Sequence, residues 1–254
     1  MIKKKKKFEI DEFIKKNKDY RKRHIITESK KIHNPKNVEK KLHNSYKYKE
    51  VLNKFIINYI KKIKIDKPED PKPEIINKIN NFKNKFLNNK LPELIKIKPT
   101  NLYQMSGAVD FAKINFILRS LSTSMGHLWE DIAICSKLAI STEKEFDLKI
   151  NGVDIIFIKD EKPFYAQIKT LEGTLTGSQA PRSESELSIH KNSYFVAAFK
   201  TETHWTFNSS KVKRIVGDEF WSMINLDYKF ILDEVKKMIK EIEEGYNKLK
   251  LSKT

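Results

Sequence analysis

The sequence predicts an α/β protein: a mixed central sheet flanked by helices, with a basic, mostly helical region ahead of it. Three observations predict this. Short apolar runs of strand length cluster between residues 146 and 199. Helix-spaced apolar residues bracket them on both sides. The charge is also divided, since residues 1–100 carry 30 Lys+Arg and 12 Asp+Glu whereas residues 101–254 carry 21 of each. The chain thus divides into two regions, 1–100 and 101–254, and the whole formal excess of +18 lies in the first.

Residues 1–64 read as charged helix, with apolar positions at Phe8, Phe13 and Ile14 and again at Val51, Leu52, Phe55, Ile56, Tyr59 and Ile60. Pro68, Pro71 and Pro73 break the pattern, because prolines at this density end a helix. A helix is predicted over 74–88, and Pro92 and Pro99 punctuate the next stretch. Residues 107–121 are helix-spaced. Ser122, Thr123 and Ser124 then offer an N-cap for a separate helix over 125–139, with Leu128, Ile132, Cys135 and Leu138 on one face. Cys135 is therefore expected as a buried small hydrophobe.

Strands are predicted over 146–150, 153–158, 164–170 and 193–199. Asn151-Gly152 signals a type I′ hairpin turn, 159–163 a polar turn, and 171–188 a polar loop. A helix closes the chain over 227–249. Its stripe of Ile231, Val235, Met238, Ile242, Tyr246 and Leu249 is expected to pack on its own domain, a dimer contact being the sharper option.

Composition excludes several classes. Hydrophobic residues make up 39 %, with 15 Phe, 9 Tyr and 3 Trp, which is enough for a core. No apolar run approaches the ~20 residues of a membrane helix. The lysines from Lys3 to Lys7 lead into Phe8-Glu9-Ile10-Asp11-Glu12 rather than an apolar segment, so a cytoplasmic protein is expected. A single cysteine excludes a disulfide framework. The six histidines lack zinc-site spacing, and the seven glycines form neither a P-loop nor a dinucleotide fingerprint. The basic first region attracts polyanions. Lysine outnumbers arginine 46 to 5, however, so part of that charge reflects coding bias and solvated helix faces.

Asp154 interrupts an apolar strand between Val153 and Ile155, and Lys169 ends another. Ionised groups at such positions are costly unless paired or bound to a metal. Gln167 and Lys169 share one face of their strand and Ile168 takes the other. Together they fit phosphodiester hydrolysis. Asp154, the Gln167 amide oxygen and the Ile168 carbonyl are hard ligands suited to Mg²⁺, and Lys169 can orient the attacking water and offset phosphate charge. Glu130, on the preceding helix, could face the same cluster, although its neighbour Asp131 could equally be the inward carboxylate.

The order Glu130, Asp154, Gln167-x-Lys169 resembles the PD-(D/E)xK nuclease superfamily over residues 122–200, with Gln167 where the family usually has an acid and Val153 where it often has proline. After Lys169 come Thr170 and then Gly177-Ser178-Gln179-Ala180-Pro181-Arg182. A Lys-Thr followed by a Gln-Ala-Pro loop is similar to the blunt-cutting branch of orthodox type II restriction endonucleases. The resemblance implies that residues 101–254 form a restriction-endonuclease-like core whose loop enters DNA. Gln179 would be a wedge or minor-groove contact, Arg182 a base or phosphate contact, and Ser178 and Ala180 their loop neighbours. It also implies a Mg²⁺-dependent double-stranded DNA endonuclease acting as a homodimer, with the N-terminal region wrapping DNA. A structure- or modification-directed nuclease of the same superfamily is the alternative, and a non-catalytic DNA-binding protein with a structural Asp154–Lys169 ion pair is another.

Overall fold

The computed structural model describes residues 57, 60–61, 67–96, 102, 106–146, 150–175, 178–202 and 204–251. The helix expected over 1–64 lies almost wholly outside them. The described chain begins its regular structure with helix α1 (Lys72–Lys85), continues through a π-turn (Phe86–Lys90) and ends that rod with α2 (Leu91–Lys96). Pro71 and Pro73 flank the start of α1, where a missing N–H costs nothing. Pro92 is expected from the sequence to interrupt the chain, but the rod passes through it. The π-turn explains why: the Leu91 N–H reaches back to the Phe86 carbonyl, re-routing the ladder just ahead of a residue that could not continue it.

One long helix, α3 (Val109–Ala133), replaces the two expected between 107 and 139. Thr123 and Ser124 do not cap a second helix. Their hydroxyls donate to the carbonyls of Arg119 and Ser120 four residues back, at 2.9 and 2.8 Å, so they are satisfied within the helix. Leu121, Met125 and Leu128 carry the buried stripe past them. Past Ala133 the helix tightens into a turn, the N–H groups of Cys135 and Ser136 reaching back three residues to the carbonyls of Ile132 and Ala133. Lys67 Nζ donates to the carbonyls of Ile134 (2.6 Å), Ser136 (2.6 Å) and Ala139 (3.0 Å). Desolvation lowers the Lys67 pKa, partly opposed by Glu145.

The sheet comes next: β1 (Ala139–Ile140), short helix α4 (Thr142–Phe146), β2 (Ile155–Lys159), β3 (Lys162–Lys169), α5 (Gln179–Leu187), β4 (Ser193–Ala197) and β5 (Lys213–Val216). Its order is β1-β2-β3-β4-β5, antiparallel at the first two pairings and parallel at the last two. The mixed α/β class is thus as expected. The strand predicted over 146–150 is not: Phe146 ends α4, Ile150 is not in a strand, and 147–149, Asp147 among them, lie outside the described residues.

The turns also differ from expectation. Asp160 and Glu161 both have positive φ, 49° and 59°, between the paired Lys159 and Lys162. That is the type I′ pattern, built without glycine. At Asn151-Gly152 only the glycine is left-handed, at φ 68°, and the Val153 N–H closes on the Ile150 carbonyl at 3.1 Å. Glycine is required there twice over, since a Cβ on Gly152 would lie 2.5 Å from the Glu186 Cβ of α5. Half of the predicted 171–188 loop is the helix α5. Pro181 sits in its first turn, where it is tolerated, and Ala180, Ser183 and Leu187 turn inward.

Two layers cover the sheet. Ile155, Phe157, Ala166, Ile168, Val196, Ala198 and Ile215 join the main core with Trp129 and Ile132 of α3, Ile75 and Ile79 of α1, and helices α6 (Asp218–Met223) and α7 (Tyr228–Leu251). Phe195 and Leu187 form a smaller cluster with Leu175, Phe207 and Val212 under α5. Burial on both faces explains why these strands read as near-continuous apolar runs. The α7 stripe of Ile231, Val235, Met238 and Ile242 is buried as expected, and Lys83 of α1 pairs with Glu241. Ile75, Ile79, Phe86 and Leu91 lie before residue 100 yet belong to the same core as Trp129, so the core spans that boundary. Cys135 is buried in it; burial pushes the thiol up to about 12.

Candidate active site

The β2–β3 ladder ends at Ile155 opposite Ala166. One residue earlier, Asp154 takes over both backbone groups that flank Gln167. Its N–H donates to the Ala166 carbonyl at 2.8 Å, and its Oδ2 accepts the Ile168 N–H at 2.7 Å. The carboxylate is therefore fixed against the end of β3 by two bonds that depend on the sheet. Val153 and Asp154 lie just outside β2, where the strand turns away, so a charge there does not interrupt the ladder.

Burial raises the Asp154 pKa to about 6, with the nearby Glu130 pushing the same way. The Ile168 N–H, Lys169 and His127 oppose it, in that order. Glu130, Lys169 and His127 thus share the electrostatic neighbourhood of Asp154. Lys169 acts through space, while the hydrogen bond to the carboxylate comes from the backbone.

Gln167 is 9 % exposed, and its Oε1 is buried with no hydrogen-bond partner among the described residues. Leaving such an oxygen unmatched costs about 1–3 kcal/mol. Gln167 and Lys169 share one strand face, whereas Ile168 sends its side chain into the main core, as the period of two requires.

Glu130 reaches the site from α3. It lies 3.3 Å from Lys144 Nζ of α4 and 3.6 Å from His127 Nδ1, one turn before it on the same helix. Of the two adjacent carboxylates, Glu130 is the one that acts on Asp154. Asp131 is held by Lys144 at 2.9 Å. The helix is locked to the end of β3 beside these groups, because the buried Trp129 donates its Nε1–H to Thr170 Oγ1 at 3.0 Å.

His127 and Lys144 do not stand out in the sequence. Helical spacing from Glu130 could have flagged His127, but Lys144 reaches the site only through the turn after β1. Glu172 lies in the part of the predicted 171–188 loop that is irregular, as expected, yet is only 4 % exposed. Its carboxylate accepts the Thr201 hydroxyl at 3.1 Å and the Thr201 N–H at 3.3 Å.

The residues expected to enter DNA occupy the start of α5 rather than a loop. Ser178 precedes the helix, and Ser178 and Gln179 are exposed. Ala180 packs against the Phe195–Leu187 cluster and faces inward. Arg182 is exposed and pairs with Glu186 at 2.8 Å, one turn on.

The side-chain oxygens at this end of β3 are those of the Asp154 carboxylate and the Gln167 amide, with the Glu130 carboxylate of α3 acting on Asp154 through space. An all-oxygen set of this kind suits a hard divalent cation. Among the described residues there is no group of three His, Cys, Asp or Glu side chains placed to hold a metal, so a cation here would depend on Gln167 and backbone oxygen. No described helix is long and apolar enough to cross a membrane. No family model matches the chain, and no curated protein matches it.

Proposed function

We propose that the protein is a Mg²⁺-dependent, site-specific double-stranded DNA endonuclease with a restriction-endonuclease-like core, acting as a type II restriction enzyme. One observation carries the proposal: Asp154 is bonded to the backbone on both sides of Gln167, whose buried Oε1 has no partner among the described residues. The orphaned oxygen is accounted for if it faces a ligand. The chain order supports the same conclusion: a helix with Glu130, a strand preceded by Asp154, then a strand carrying Gln167 and Lys169.

Asp154, Gln167 and the Ile168 carbonyl would hold the Mg²⁺. When bound, the ion supplies charge neutralisation at the phosphate and a water of lowered pKa. Lys169 positions the water and the scissile phosphate. Glu130, already flanked by His127 and Lys144, steadies the cationic side of the site. Exposed Gln179 and Arg182 at the head of α5 contact DNA, and Ser178 leads the chain into them. Palindromic sites imply a two-fold homodimer in which each subunit cuts one strand.

The test is digestion of unmodified plasmid in Mg²⁺, with an EDTA control. Discrete bands that EDTA abolishes are expected. Smearing, or cutting confined to methylated DNA, would assign the same chemistry to a structure- or modification-directed nuclease. Salt-sensitive binding without cleavage in Mg²⁺ or Mn²⁺ would overturn the enzymatic assignment.

A further inference from the structure

Arginine is scarce in this chain, at 5 residues against 46 lysines. Where lysine supplies generic charge, an arginine offers what lysine does not, a planar guanidinium with five donors. Arg214 of β5 is held as such a group would be. Its guanidinium carbon lies 5.5 Å from the centroid of the Trp205 ring, and its Nη1 donates to the Phe207 carbonyl at 3.1 Å. Trp205 is itself set edge-on against Phe195, and Phe207 stacks on the same ring at 4.3 Å. One face and one donor of Arg214 are fixed to the smaller core, yet the residue remains exposed.

Its position relates it to the candidate active site. Arg214 pairs with Phe195, and Phe195 pairs with Gln167, so the three stand in one row on adjacent strands. At 4.7–4.9 Å per strand, the Arg214 backbone is ~10 Å from that of Gln167, and the side chains share a face. Lys211, three residues before it, is exposed as well. Ser209, in the segment leading into β5, donates to Glu184 of α5 at 2.5 Å, tying this region to the helix that carries Gln179 and Arg182.

We propose that Arg214 is a DNA-backbone contact, its remaining N–H groups engaging a phosphate away from the scissile one, on the same face of the sheet as Gln167. The proposal rests on the nuclease assignment above but is tested without catalysis. The full chain is titrated in EDTA with a short fluorescein-labelled duplex of random sequence, over ~50–200 mM KCl. Arg214→Gln keeps an amide donor for the Phe207 carbonyl while removing the charge. It is expected to bind about tenfold more weakly, with a log–log salt slope shallower by about one. Arg214→Lys should restore the slope and only part of the affinity.

Wild-type affinity and slope in Arg214→Gln would overturn the contact and leave Mg²⁺-dependent cleavage standing. A weakened complex with an unchanged slope and a lowered Tm would reduce Arg214 to a packing group on Trp205 and also overturn it. A wild-type chain that neither binds the duplex nor cuts plasmid would sink both proposals.

Discussion

Replacing Asp154 with asparagine should make the metal-free protein more stable while destroying its proposed activity. In the fold the carboxyl titrates at about 6 instead of 3.8. That rise of about two pH units corresponds to ~3 kcal/mol against the ionised form. The sign follows from the direction. A carboxyl raised in the native state contributes stability only while protonated in both states, and that contribution is lost as pH climbs from about 4 through about 6. An asparagine in its place stays neutral and can still accept the Ile168 N–H. In EDTA at pH 8, Asp154→Asn is therefore expected to be ~2–3 kcal/mol more stable than wild type in urea unfolding. The gap should close by pH 4. Mg²⁺ should narrow it at pH 8 by stabilising wild type alone, since binding to the native state adds stability by mass action. A variant less stable than wild type at pH 8, or a gap indifferent to pH, would refute the electrostatic account of this residue.

Three further outcomes are expected. Gln167→Met removes the orphaned oxygen at similar volume and should raise metal-free stability by about 1–2 kcal/mol in denaturant titrations, while abolishing any stabilisation by Mg²⁺. Lys67→Met leaves three carbonyls of the turn between α3 and β1, those of Ile134, Ser136 and Ala139, without their shared donor and should cost ~2 kcal/mol or more, read as a lower urea midpoint. The Cys135 thiol, buried and pushed up to about 12, should react with a disulfide reagent at pH 8 only as fast as the protein unfolds; rapid native-state labelling would contradict its placement.

The parts of the fold legible in the sequence are those where one physical signal dominates. The α7 stripe repeats every three to four residues and is buried as it reads. Strands β2, β3 and β4 are apolar because both faces are covered. The elements that escape depend on tertiary partners. Strand β5 is four residues at a sheet edge, two of them Lys213 and Arg214, and carries too few apolar positions to announce itself. Helix α5 is mostly polar, and its inward face rests on Ala180, Ser183 and Leu187. Ser122-Thr123-Ser124 suggests a helix start, but two of its hydroxyls bond within α3. Asp154 and Lys169 stand out in the sequence as charges beside apolar runs. The orphaned Gln167 oxygen and the contact of Lys144 with Glu130 do not, because each arises from segments that meet only in the folded chain.

Single-turnover cleavage of plasmid in Mg²⁺ by wild type and by Lys169→Ala, with urea midpoints confirming that both are folded, addresses the central claim most directly. Wild type should yield discrete fragments, and the alanine variant should cut at least ~100-fold more slowly with little loss of stability. Cleavage by Lys169→Ala at the wild-type rate would contradict the account.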